Sequence, residues 1–236
     1  AGGTGSESGE TGTALLVREI PISLGVPVEM DAEAFGFYTF RLNLPAGAAD
    51  NLVARLTPLA GDGAWTFVGR LNEQPGLAEC DWAPVPATGS NQAILIPSPM
   101  PGTYFFGVHY AEWAKTAARF RLEVLETDRY LAGVSAQSGG NAGTTTIEVF
   151  GLGFADGVTV VLRDSSGGLL RSFSPLAFDA AGLTVRLDLS GLDPQTLDIA
   201  VVWPDTSELV LADAFEHAVP GARGESGGQA HAGDSG

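Results

Sequence analysis

Phe37-Tyr38-Thr39-Phe40-Arg41-Leu42-Asn43-Leu44 carries the decisive pattern of this chain: from Tyr38 onward, large apolar and polar side chains alternate. Successive side chains of an extended strand point to opposite faces, so a period of two marks a strand with one face in a core. The pattern turns Tyr38, Phe40, Leu42 and Leu44 inward and Thr39, Arg41 and Asn43 toward water. Pro45-Ala46-Gly47 stops the strand, because proline lacks the ladder donor and glycine favours a turn. Working outward, residues 51–56, 65–71, 92–96, 103–110 and 117–125 are predicted strands. Loops bearing proline and glycine fall at 72–91, with a shorter loop at 111–116.

A second block follows the short acidic stretch Glu126-Thr127-Asp128-Arg129, with strands predicted near 145–150, 158–163, 183–189 and 197–203. Leu183, Val185, Leu187 and Leu189 share one face, and Thr184, Arg186, Asp188 and Ser190 the other; Val158, Val160 and Leu162 form a similar apolar row. Turns at Ser166-Gly167-Gly168, Ala181-Gly182, Asp193-Pro194 and Pro204-Asp205 recur at sandwich spacing. No segment of useful length has a helical period. The chain reads as all-β: two tandem antiparallel β-sandwich modules, over residues 14–126 and 127–219. Residues 1–13 and 220–236 are Gly/Ser-rich and lack large apolar anchors. They are expected to be a flexible linker and a flexible tail, which makes the chain a piece of something longer.

The 236 residues suit two domains of about 100 residues each. Asp and Glu number 28 against 12 Lys and Arg, a formal charge of −16, and Lys115 is the single lysine. A field of that sign repels phosphate backbones and anionic lipid, so nucleic acid and membrane insertion are not expected. No apolar run approaches the roughly 20 residues of a membrane-spanning helix. Cys80 is the only cysteine, so no intrachain disulfide holds the fold; it reads as a small hydrophobe in a loop or as a reactive thiol.

Residues 14–125 resemble the bacterial pre-peptidase C-terminal (PPC) domain family. The resemblance rests on Phe37-Tyr38-Thr39-Phe40-Arg41-Leu42, on residues 48–57 as the next strand, and on Pro101-Gly102-Thr103-Tyr104-Phe105-Phe106-Gly107-Val108 followed by Phe120-Arg121-Leu122-Glu123-Val124. The family's mid-domain G-D-x-D-L run is replaced here by Gly61-Asp62-Gly63-Ala64-Trp65-Thr66-Phe67, which lacks the second aspartate. Residues 131–218 resemble immunoglobulin-like IPT/TIG modules of bacterial surface proteins. That likeness is carried by the run from Gly143 to Phe154, by Gly157-Val158-Thr159-Val160 and by Asp213-Ala214-Phe215. Together the resemblances imply a non-catalytic accessory region of a larger secreted or cell-surface bacterial protein, beside other domains of the same chain.

Short motifs are weighed on the chemistry they need. Gly224-Glu225-Ser226-Gly227-Gly228 and Gly233-Asp234-Ser235-Gly236 match hydrolase strings, but a nucleophilic serine requires a rigid element, a base and an oxyanion hole, none of which the tail offers. Gly151-Leu152-Gly153, with Gly157 one residue late, fits a turn or bulge needing positive φ rather than a dinucleotide fingerprint. His109, His217 and His231 lack partners at metal-ligand spacing, and His109 falls in phase with the solvent face of its strand. No catalytic residue is assigned, and the chain is not expected to be an enzyme.

Two constellations remain. Glu29, Asp31 and Glu33 alternate on one side of an extended segment, Glu79 and Asp81 alternate likewise, and Glu126 and Asp128 flank the hinge. Calcium takes six to eight oxygen ligands from such loops, so Glu29, Asp31, Glu33, Glu126 and Asp128 are candidate ligands of a structural calcium ion; solvated surface charge is the other reading. Trp65, Trp82, Tyr110 and Trp113 lie at or between strand ends, where a ring in water stacks on a pyranose face. They are the candidate platform for an extracellular polysaccharide or matrix polymer, the alternative being rings folded onto the core of a purely structural spacer or assembly module.

Overall fold

The computed structural model describes residues 19–61, 63–87, 91–111, 118–140 and 143–218. The expectations for 1–13 and 220–236, for both hydrolase strings, for His231 and for Trp113 lie outside the described residues. Among the described residues there are strands and turns but no helix.

The first nine strands are β1 (Glu19–Pro21), β2 (Val28–Ala32), β3 (Phe37–Leu44), β4 (Asn51–Ala60), β5 (Ala64–Leu71), β6 (Val85–Pro86), β7 (Gln92–Pro97), β8 (Gly102–Ala111) and β9 (Ala118–Glu126). They form two sheets, β1-β3-β8-β5 and β2-β9-β4-β7-β6. Between these sheets Phe40, Leu56, Phe67, Ile94, Tyr104, Phe106, Tyr110 and Phe120 make one core. The next nine are β10 (Tyr130–Val134), β11 (Ser138–Gly140), β12 (Thr144–Leu152), β13 (Thr159–Arg163), β14 (Leu169–Phe173), β15 (Ala177–Phe178), β16 (Gly182–Asp188), β17 (Gln195–Val202) and β18 (Glu208–Ala218). They form sheets β10-β12-β16-β15 and β11-β18-β17-β13-β14 around Val149, Val160, Val185, Leu187, Ile199, Trp203 and Phe215. The all-β, two-sandwich reading holds. All pairings are antiparallel except the short edge pairs β1–β3 and β11–β18, which are parallel.

The alternation in β3 sorts as expected for Phe40, Leu42 and Leu44, but Thr39 is fully buried rather than wetted. It stands opposite Gly107. Phe37, Val68 and Pro75 crowd the space a side chain on Gly107 would need, so the outer face of this sheet is roofed at that point. Gly153 takes a φ of 78°, as a turn glycine should, and a methyl there would collide with the Asp128 carbonyl.

The two sandwiches meet through a third apolar cluster. Val53, Ala93 and Leu95 of β4 and β7 pack against Ala132 and Leu152 of β10 and β12, with Val85, Tyr130, Phe150 and Ala181 around them. The outer face of the β2-β9-β4-β7-β6 sheet is therefore apolar where the second module covers it. The connecting residues are held from both sides. Thr127 N–H donates to the Asn51 carbonyl (3.2 Å), and Asn51 Nδ2 donates to the Asp128 carbonyl (3.4 Å). Arg129 bonds Asp205 at 2.8 Å and the Ser207 hydroxyl, and its guanidinium lies 5.0 Å from the centre of the Trp203 ring.

Three turns of the second module repeat one device. Asp164, Asp188 and Asp205 each accept both the hydroxyl and the backbone N–H of the serine two residues on. The Ser166 hydroxyl lowers the Asp164 carboxyl and the Ser190 hydroxyl that of Asp188, while Arg129, then Ser207, holds Asp205 well below the usual carboxylate range. A carboxylate lowered in the folded state stabilises fully above its unfolded value and loses that contribution as pH falls toward the folded one. Circular dichroism melts are therefore expected to show acid destabilisation below about pH 4. The three-fold Asp→Asn variant should melt lower at neutral pH and show a flatter acid limb.

Candidate functional site

Strand β4 decides where a site is available. Its residues 52–60 pair with β9, but only 51–56 pair with β7, so from Thr57 to Ala60 one side of β4 has no strand neighbour among the described residues. A register shift between Pro58 and Ala60 bends the strand at the same point. The notch left there has a volume of about 530 Å³ and is lined by Pro58, Leu59, Ala60, Gly61, Gly63, Trp65 and Gln92. Gln92, at the start of β7, donates its amide to the Trp65 carbonyl at 2.7 Å and so ties one sheet of the sandwich to the other. Trp65 Nε1 and Gln92 Oε1 are buried and have no hydrogen-bond partner among the described residues.

Through Leu59 the notch runs onto the exposed half of the sheet face, a depression of about 200 Å³ lined by Glu29, Arg55, Thr57, Leu59, Arg121 and Glu123. Arg55 and Thr57 then lead to a cleft of about 90 Å³ against Tyr130, Leu131 and Ala132 of the second module. Cross-strand register explains the charged floor: Arg55 stands opposite Glu123, Thr57 opposite Arg121, and Glu29 opposite Arg121 on the other side. Glu123, 9% exposed, takes the Arg55 guanidinium at 2.5 Å and that of Arg121 at 3.5 Å. Arg119 takes Glu29 at 2.7 Å. Burial pushes the Tyr130 phenol up from its ordinary value, against the pull of the nearby Arg55 charge. The result is a trough with paired charges, set between one module's sheet and the other's edge.

Of the aromatic platform expected from the sequence, the described members are one buried ring, Tyr110, and two half-buried ones, Trp65 and Trp82, packed against the core. Tyr110 is fully buried, its hydroxyl accepting the Gly63 N–H at 3.2 Å, so its ring has no face for a ligand. Trp82 is clamped by two backbone bonds to Gly69 and stacks on Tyr104 at 5.6 Å, closing the end of the core. Trp65 packs on Tyr110 at 4.5 Å and Phe120 at 5.3 Å, yet it alone of the three also lines the notch.

The acidic candidates do not gather. Glu29 is engaged by Arg119, while Asp31, Glu33, Glu126 and Asp128 are exposed. Among the described residues no three His, Cys, Asp or Glu side chains are grouped so as to hold a metal ion. Asp81 instead accepts the Leu71 N–H (2.8 Å), and Glu79 lies 3.8 Å from Arg70. His109 is half-buried with its ring 6.4 Å from Phe37, and His217 is buried, its Nδ1 2.9 Å from the Asp193 carbonyl. Neither bonds a serine or cysteine among the described residues.

Arg55, Gln92, Glu123 and Tyr130 were not singled out by sequence reasoning. That these four residues meet in one trough depends on strand order and on the module junction.

No family model matches the chain, and no curated protein matches it. Among solved structures it is similar to the pre-peptidase C-terminal domain of a collagenase from Bacillus anthracis, at 16% identity over 46% of this chain and 95% of that one (TM-score 0.36). It is similar to a lipase from Bacillus licheniformis in its propeptide form, at 10% identity over 78% of this chain and 39% of that one (TM-score 0.28). It is also similar to the adhesin domain of Epf from Streptococcus pyogenes, at 8% identity over 79% of this chain and 76% of that one (TM-score 0.25).

Proposed function

We propose that this chain is a non-catalytic accessory unit of an exported bacterial protein and that it holds an extracellular polysaccharide in the notch and trough of its first module. The observation that carries the reading is the half of β4 that has no β7 partner among the described residues, beside a concavity lined by one tryptophan, an exposed leucine and polar side chains. Leu59, 45% exposed, and Trp65 offer apolar surface to the C–H face of a sugar, and the Arg/Glu pairs beyond offer donors and acceptors to its hydroxyls.

Retention on insoluble cellulose, chitin, xylan and mannan tests it. Leu59→Asp, at an exposed position, is expected to abolish retention and leave the melting temperature unchanged. Retention by none of these polymers would leave the second reading, a stiff spacer whose partners are proteins. That reading is favoured by the apolar cluster that joins the two modules.

A further inference from the structure

Of the five non-glycine residues with positive φ among the described residues, Phe35 is the one large apolar side chain. From its turn we infer that the polysaccharide is gripped at a second point, the exposed ring of Phe35. The ligand is then a run of sugars lying across the loop end of the first module, not a single unit seated in the notch. The inference rests on the polysaccharide reading above and adds to it a contact residue and a length requirement.

Glu33-Ala34-Phe35-Gly36 joins β2 to β3 as a tight turn, closed by the Gly36 N–H on the Glu33 carbonyl at 2.9 Å. Of its two central residues only the second, Phe35, has positive φ, at 58°. That is type II geometry, which favours glycine or asparagine at this place. The glycine stands one position later, where a Cβ would lie 2.7 Å from the Tyr38 hydroxyl and 2.9 Å from the Glu33 carbonyl oxygen. The turn is imposed by its surroundings. The Tyr38 hydroxyl accepts the Glu33 N–H at 2.8 Å, and the Gly36 carbonyl accepts the Tyr110 N–H at 3.1 Å. A bulky side chain held in the left-handed region costs stability, and 47% of Phe35 is nevertheless left in water. Strain kept at an exposed ring points to a contact made by that ring.

The turn and the notch share one end of the sandwich. Gly36 bonds Tyr110 of β8, and Tyr110 stands opposite Trp65 of β5, which lines the notch. Two strand spacings therefore separate the turn from Trp65, about 10 Å between backbones. One pyranose does not cover that interval, and consecutive units of a glycan do. Phe35 offers the C–H face of one unit the same kind of surface that Leu59 and Trp65 offer another.

The test is calorimetry of the whole chain with the hexasaccharides of cellulose, chitin, xylan and mannan, each set against its monosaccharide. A hexasaccharide is expected to bind and its monosaccharide to show no measurable heat. Phe35→Asn places in the turn a residue that tolerates positive φ. It should melt at the parent's temperature or above it, and bind the hexasaccharide roughly tenfold more weakly, whereas Phe35→Tyr should bind as the parent does. A Phe35→Asn variant that binds as tightly as the parent would overturn the inference. So would one that melts several degrees lower or does not fold, which would make the ring a packing element, and so would a monosaccharide bound as tightly as its hexasaccharide. In each of these cases the polysaccharide reading stands if Leu59→Asp loses the hexasaccharide. Binding of no hexasaccharide by the parent chain removes both.

Discussion

Trp203→Ala is expected to destabilise the second module by about 3–5 kcal/mol, the range for truncating a buried aromatic. The ring is 2% exposed, lies parallel to Phe154 with centroids 6.4 Å apart, and donates its indole N–H to the Gly153 carbonyl at 2.7 Å. Removing it leaves a cavity and deprives the Gly153 carbonyl of its donor, and takes away the surface on which Arg129 rests. The loss should appear in scanning calorimetry as a low-temperature transition of the second module. The tryptophan fluorescence of Trp65 and Trp82 should report the first module still folded at that temperature. A variant that melts within a degree of the parent would show that the stack carries little of the stability assigned to it.

The second large effect is expected from Gly133→Val. A Cβ at this position would lie 2.6 Å from the Pro86 carbonyl oxygen and 2.9 Å from Ala87 Cα, both on the first module. Backbone cannot yield as a flexible side-chain tip does, so the modules must part. The large apolar side chains of the junction, Val53, Leu95 and Leu152, are 0%, 6% and 0% exposed. At roughly 1.5–3 kcal/mol for each such side chain buried, the contact contributes on the order of 5 kcal/mol of coupling. The parent chain is therefore expected to unfold in one calorimetric transition and Gly133→Val in two, with a larger radius of gyration by X-ray scattering. Gly143→Val is the matched control, because nothing lies within 4 Å of a Cβ there. Two resolved transitions in the parent would refute the coupling.

The inward rows of β3 and β16 were legible because a period of two is a local property: whatever the partner strand, one face of Leu183, Val185 and Leu187 must find a core. Short or irregular pieces carried no such signal. Residues 130–134 and 138–140, now β10 and β11, have too few alternations to stand out, and β6 lies within what the sequence offers as one long loop. The candidate site was legible in its residue types and not in its membership. Tyr110 sits at a strand end and reads as a loop aromatic, yet it is core, because Gly61 and Ala118 close over its hydroxyl end.

By itself the sequence determined the class of fold, the number of modules, the inward rows of β3 and β16 and the absence of an intrachain disulfide. Each of these depends on periodicity or composition, which need no knowledge of neighbours. Only the tertiary structure decided that β7 stops short of β4 and leaves Trp65 and Gln92 at a notch, that Glu123 is shared between Arg55 and Arg121, and that the hinge is clamped between the two modules. These features are set by strand order and register, which join residues as far apart as Arg55 and Glu123, and a local pattern has no means of encoding a distance across the chain.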